Sequence, residues 1–120
     1  MKQNFIPNRG DLIWLDFEPT KGKEIGKYRP AYILSSKEYN KKTGLVICSP
    51  VSTSIRGHIT EVSIEALEKP SVIATSLIQT LDWQERKAKL IKHLPRQTLH
   101  EVLSRVLPLI GAREFITADY

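Results

Sequence analysis

Proline and glycine cut this 120-residue chain into short pieces, and that punctuation limits the fold more than any other feature. Breaks fall at Pro19, Gly22, Gly26, Gly44, Pro50, Gly57 and Pro70. Between them lie apolar runs too short for helices but of ordinary strand length. Asp11–Phe17 combines aliphatic and aromatic residues with partial alternation and reads as a strand. Pro30–Ser35, Leu45–Ser49 and His58–Ile64 are the next three, and Ser71–Leu81 offers one or two more. Several short strands at this spacing predict a mainly β, small barrel or half-closed sheet.

The last third changes period. Leu99, Val102, Leu103, Val106 and Ile110 recur at helical spacing and form one apolar stripe. Pro95 suits the first turn, Gly111 the exit, and Pro108 should weaken or kink the final turn. The helix is expected to pack this stripe on the barrel and to turn Arg96, His100 and Arg105 outward. Ala112–Tyr120 carries no clear pattern and is expected to be loosely held.

The length fits a single domain, 1–120, and a hydrophobic fraction of 41% with 26% charged residues is globular. No apolar run approaches the roughly 20 residues that span a bilayer, so no membrane partner is expected. Met1–Asn4 leads into Pro7 without a signal-peptide pattern, and the single Cys48 has no intrachain partner. Both features predict a reducing cytoplasm. Cys48 lies in an apolar run and reads as core rather than as a nucleophile.

The net charge is +5, and the excess is clustered. Lys21, Lys23, Lys27 and Arg29 bracket the glycine loop Gly22–Pro30, while between Arg86 and Arg105 lie Arg86, Lys87, Lys89, Lys92, Arg96 and Arg105 against only Glu101. Clustered cations favour polyanions, so nucleic acid or an acidic protein tail is the expected partner. Three histidines and one cysteine do not form a metal-ligand pattern, and no phosphate-binding glycine motif is present, so no cofactor is expected.

Taken in order, R9-G-D-L-I-W-L-D-F-E-P19, G22-K-E-I-G-K-Y-R-P30, A31-Y-I-L-S35, Y39-N, K42-T-G44, P50-V-S-T-S-I-R-G57, L81-D-W83 and Arg86 resemble the MazF/PemK (Kid) family of toxins. The matches run over roughly residues 5 to 111. The glycine loop with its Glu and Arg-Pro, joined to the P-x-S-T block, is the specific part. The resemblance implies an SH3-like barrel of the plasmid-maintenance toxin type with a C-terminal helix. It further implies a homodimer, metal-independent cleavage of single-stranded RNA, and inhibition by a cognate acidic antitoxin, with DNA reached only through that antitoxin. Its catalytic positions fall on Glu24, Arg29 and Ser52.

Three departures stand out. Ser52 replaces the usual Thr, Thr75-Ser76 replaces the usual Asp-Gln pair, and Ile25 stands where Gln is common. They bear on base selectivity and efficiency more than on the reaction.

RNA carries its own nucleophile, the 2′-hydroxyl, so such an enzyme gives a 2′,3′-cyclic phosphate and a 5′-hydroxyl end. Arg29 offers forked donors to phosphate. Either Glu24 is the base, or Arg29 transfers the proton and Glu24 orients it. Ser52 either contacts a non-bridging oxygen or caps a turn. Lys23, Lys27, Tyr28, Thr53, Arg56 and Arg86 are candidate RNA contacts, with Tyr28 stacking a splayed base. Arg86 is equally read as a structural partner of Asp82 or Glu85. Trp14 and Trp83 read as core or dimer-interface residues. Two other readings remain open: a family member that binds RNA or antitoxin without cutting, and a gyrase poison like the related CcdB family.

Overall fold

A computed structural model describes residues 5–23 and 25–117. Its first strand, β1 (Asp11–Asp16), has apolar side chains buried on both faces: Ile13 and Leu15 enter one core, Leu12 another. That two-sided burial is what a central strand requires, and β1 indeed lies between two neighbours. It pairs antiparallel with β2 (Tyr28–Ile33) on one side and with the distant strand Lys89–His93 on the other.

After β2 comes a short helix, α1 (Lys37–Thr43), that was not expected from the sequence because it has no apolar stripe. Its ends carry the signal: the Ser36 hydroxyl accepts from the Tyr39 amide, and Gly44 closes it at φ +73°. Its one buried side chain, Asn40, donates to the carbonyls of Pro7 and Ser35 and accepts from the Ser35 hydroxyl. The Asn40 carbonyl in turn takes the indole N–H of buried Trp83 at 2.9 Å.

β3 (Leu45–Ser52) runs three residues past the expected Leu45–Ser49. Its first half pairs with β6 (Gln79–Asp82), its middle with β2, and its last residues with β5 (Ser71–Ala74). Pro50 has no N–H to give, and it sits where β3 leaves β6 and takes up β5. This exchange of partners curls the sheet into a half-barrel. β4 (Glu61–Ile64) pairs with β5, and β7 (Lys89–His93) closes the order β4-β5-β3-β2-β1-β7 with β6 branching from β3. The expected strand His58–Ile64 is therefore shorter, and Ile59, read as an apolar strand position, is 89% exposed.

α2 (Arg96–Leu109) starts after Pro95 and covers the second core, burying Val102 and Val106 in one cluster with Leu12, Tyr32, Val51 and Ile73. The stripe is narrower than its periodicity suggested. Ile110, its expected last member, is the C-cap and 68% exposed, because the chain turns away at Gly111. Pro108 does not end the helix, which continues to Leu109. Arg105, half-buried, also makes a contact not expected from the sequence: its Nε donates to the Ile59 carbonyl at 3.0 Å, tying α2 to the β3–β4 loop. In the tail, Ala112–Thr117 forms α3, and residues 118–120 lie outside the described residues. The mainly β half-barrel with a C-terminal helix is the expected fold.

Candidate active site

The register of two strands assembles the site. β2 and β3 pair Ala31 with Pro50, Tyr32 with Ser49 and Ile33 with Cys48. Beyond those pairs Ser52 partners Val72 of β5, and Arg29 reaches the end of β3 through its side chain. Arg29 is fixed there by its own bonds. Its Nε donates to the Gly26 carbonyl at 2.6 Å and an Nη1 hydrogen to the Val51 carbonyl at 3.3 Å. The loop supplying Gly26 is itself pinned: the Glu18 carboxylate accepts from the Lys27 amide at 2.8 Å. Gly26 packs closely on Glu18: a Cβ there would lie 2.4 Å from its Oε2, so a larger residue would push aside the carboxylate that accepts from the Lys27 amide.

Arg29 and Ser52 open onto one cleft of about 510 Å³, together with Lys23, Arg56, His58 and Ser76. Partial burial pushes the Arg29 pKa below its ordinary value, with Glu18 acting in the opposite sense. It remains a cation, and three cationic side chains thus share the wall. The nearest carboxylate on that wall, Glu61, is already engaged by the amides of Arg56 and Gly57. Such a surface takes a phosphate, and the forked guanidinium presents several donors to it. The Ser52 hydroxyl accepts from the Ser54 amide at 3.0 Å, so it caps its turn while its proton stays available to donate.

Four residues singled out in the sequence, Lys23, Arg29, Ser52 and Arg56, thus line one cleft. Glu24 lies outside the described residues, between Lys23 and Ile25, which both line it. The other four are placed elsewhere. Thr53 borders a neighbouring apolar hollow of about 320 Å³ with Trp14, Pro30 and Leu67. Lys27 is exposed on the loop. Tyr28 stacks on Trp14 with centroids 5.4 Å apart, and its hydroxyl donates to the Lys87 carbonyl. Trp14 is accordingly half-buried at the surface rather than core, whereas Trp83 is core. The Arg86 guanidinium donates to the carbonyls of Asp16 and Glu18 at 3.0 and 2.8 Å and its amide to the Asp82 carbonyl at 3.1 Å, so its partners are backbone oxygens.

Of the departures, Thr75 is fully buried, with its amide and hydroxyl both donating to the Thr60 carbonyl, while Ser76 reaches the cleft. His58 is the cleft residue that sequence reasoning missed. It was read as the first residue of a strand, although the preceding Gly57, at φ +74°, marks a turn. Cys48 is fully buried, and burial pushes its thiol up to about 12, which leaves it packed and unreactive. No cluster of potential metal ligands occurs among the described residues, and none of the helices there is long and apolar enough to cross a membrane.

Comparison with known proteins agrees with this geometry. Residues 8–110 match the family model of the PemK-like, MazF-like toxins of type II toxin–antitoxin systems. The chain is 35% identical over 111 residues to the endoribonuclease toxin MazF of Escherichia coli K12, covering 92% of this chain and all of that one. Its fold superposes on the crystal structure of MazF from Deinococcus radiodurans with a TM-score of 0.85 at 36% identity, covering 90% and 99% of the two chains. A MazE–MazF complex from the same organism gives 0.79 at 36% identity, covering 90% and 98%. With nearly its whole length matched in sequence and in fold, this chain belongs to the MazF/PemK-like toxin family of type II toxin–antitoxin systems.

Proposed function

We propose that this chain is an endoribonuclease toxin that cuts single-stranded RNA in the cleft shared by Arg29 and Ser52. The observation that carries the reading is that Arg29, held by the Gly26 and Val51 carbonyls, and Ser52, the residue after Val51, line one cationic cleft. The 2′-oxygen attacks the adjacent phosphorus, and negative charge grows on the non-bridging oxygens. Arg29 donates to those oxygens through N–H groups held in place before the reaction, so little reorganisation is needed. Ser52 donates its proton to the same phosphate. Glu24 takes the 2′-hydroxyl proton, a carboxylate being far more basic than a guanidinium. Lys23 and Arg56 hold flanking phosphates, and unstacked bases lie along the open groove.

The toxin acts as a homodimer in the cytoplasm, without a membrane partner, and is silenced by an antitoxin whose acidic segment occupies the cationic cleft. Structures of MazE–MazF complexes from a relative support an antitoxin partner of this kind. Contact with DNA comes only through that antitoxin.

The test is direct. Purified protein cleaves a long single-stranded RNA in EDTA, leaving 5′-hydroxyl ends, and Arg29→Ala does not. Full activity of Arg29→Ala removes Arg29 from the mechanism. Tight RNA binding by the wild type without any cut product refutes the nuclease reading.

A further inference from the structure

His58 lies on the wall of the cleft, and the turn that bears it is held at every carbonyl. The His58 carbonyl accepts from the Glu61 amide at 3.0 Å, and the Ile59 carbonyl accepts from Arg105 Nε at 3.0 Å. The Thr60 carbonyl accepts from both the amide and the hydroxyl of Thr75. At the start of the same turn, the Glu61 carboxylate collects the Arg56 and Gly57 amides. β4, α2 and the residue following β5 thus hold the backbone of the turn that places the exposed His58 on the cleft wall.

The reaction leaves a role unfilled. Arg29 is committed to two carbonyls and is a fixed cation, and Glu24 in the reading above takes a proton rather than giving one. The leaving 5′-oxygen still requires a proton. Imidazole is the ordinary side chain that gains and loses one between about pH 5 and 8. The charged groups around it are Lys23 from the first loop, Arg29 from β2, Arg56 from its own loop and the engaged Glu61 of β4. Arg105 of α2 lies behind the turn, bonded to its backbone.

We propose that His58 is a further catalytic residue, the proton donor to the leaving 5′-oxygen. This rests on the endoribonuclease reading. The 2′-oxygen forms its bond to phosphorus as its proton passes to the Glu24 carboxylate. The P–O5′ bond breaks with its electron pair on O5′, the imidazolium gives O5′ its proton, and a neutral imidazole remains.

A substrate with sulfur in place of the bridging 5′-oxygen isolates this step, because a thiolate departs without protonation. Wild type and His58→Gln are compared under single turnover in EDTA on both substrates, across pH 5.5 to 8.5, with a melting curve for each protein. On the oxygen substrate His58→Gln is expected to be slower by about 10²-fold or more. On the sulfur substrate it matches the wild type. Equal rates on the oxygen substrate overturn the proposal, and so does an equal loss on both substrates, which assigns His58 to binding. A wild type that cuts neither substrate overturns the endoribonuclease reading itself, a distinct result.

Discussion

Arg29→Lys separates charge from geometry at the centre of the site. Arginine has five N–H donors, and two of them, on Nε and Nη1, are given to the Gly26 and Val51 carbonyls, which leaves three for the cleft. Lysine keeps the charge but bundles its donors on one freely rotating nitrogen, so it cannot hold both carbonyls and still present a fork to phosphate. Losing one preorganised donor to a transition-state oxygen costs about 2.7–4 kcal/mol, or roughly 10²–10³ in rate. The fold should suffer far less. Arg29 is only half-buried, water can replace its bonds to the two carbonyls, and about 1 kcal/mol of stability is at stake, a drop of roughly 4 °C in Tm. Cleavage of a short fluorescent single-stranded RNA with enzyme in excess, run beside a thermal melt, measures both quantities. A rate within threefold of wild type refutes the argument that the fork matters. A rate loss accompanied by a Tm drop of more than about 10 °C refutes the separation of catalysis from folding.

Asn40→Ala removes the side chain that links α1 to the Pro7 and Ser35 carbonyls and leaves those buried groups unpaired. It should cost about 3 kcal/mol in urea unfolding, and a loss below about 1 kcal/mol contradicts the network. Tyr32 is buried with a hydroxyl that finds no partner among the described residues, so Tyr32→Phe should stabilise the protein at neutral pH by about 1 kcal/mol. The same hydroxyl and the Cys48 thiol both give alkaline sensitivity. Folding holds the thiol proton from an ordinary 9.0 up to about 12, and the phenol proton from 10.0 up to about 12. Between those values the unfolded chain has released protons that the folded one keeps, so stability falls as pH rises, by at most about 1.4 kcal/mol per pH unit for each group. Urea titrations from pH 8 to 11 should show that slope, reduced in Tyr32→Phe and in Cys48→Ala. Arg105→Met keeps the buried stem but releases the Ile59 carbonyl, and it should slow RNA cleavage about tenfold without shifting its pH profile.

How far the sequence could be read follows from what each residue pattern records. Strands with buried apolar residues between proline and glycine breaks, such as Asp11–Asp16 and the first part of β3, Leu45–Ser49, announce themselves because their apolar pattern is a local property. α1 and β7 do not. The helix buries one amide rather than a stripe, and the edge strand Lys89–His93 keeps its lysines in water, where the charge also discourages further pairing. Its cations looked in sequence like part of one basic cluster, whereas folding divides that cluster between β7 and α2.

The site was legible through its resemblance to a family, since nothing local says that residue 29 will meet residue 52. Their meeting depends on β2 and β3 being neighbours in one register, and that register depends on how β3 changes partners at Pro50. The proline that looked like a strand terminator therefore does the opposite. Lacking an N–H where β6 ends and β5 begins, it lies inside a strand that continues to Ser52, which lines the same cleft as Arg29. His58 was hidden for a related reason. The apolar residues after it continue a strand-like pattern, but the residues that hold its turn, Thr75 and Arg105, come from elements far along the chain. A turn held by two residues so far along the chain is a tertiary property, and tertiary contacts are what single-sequence periodicity does not encode.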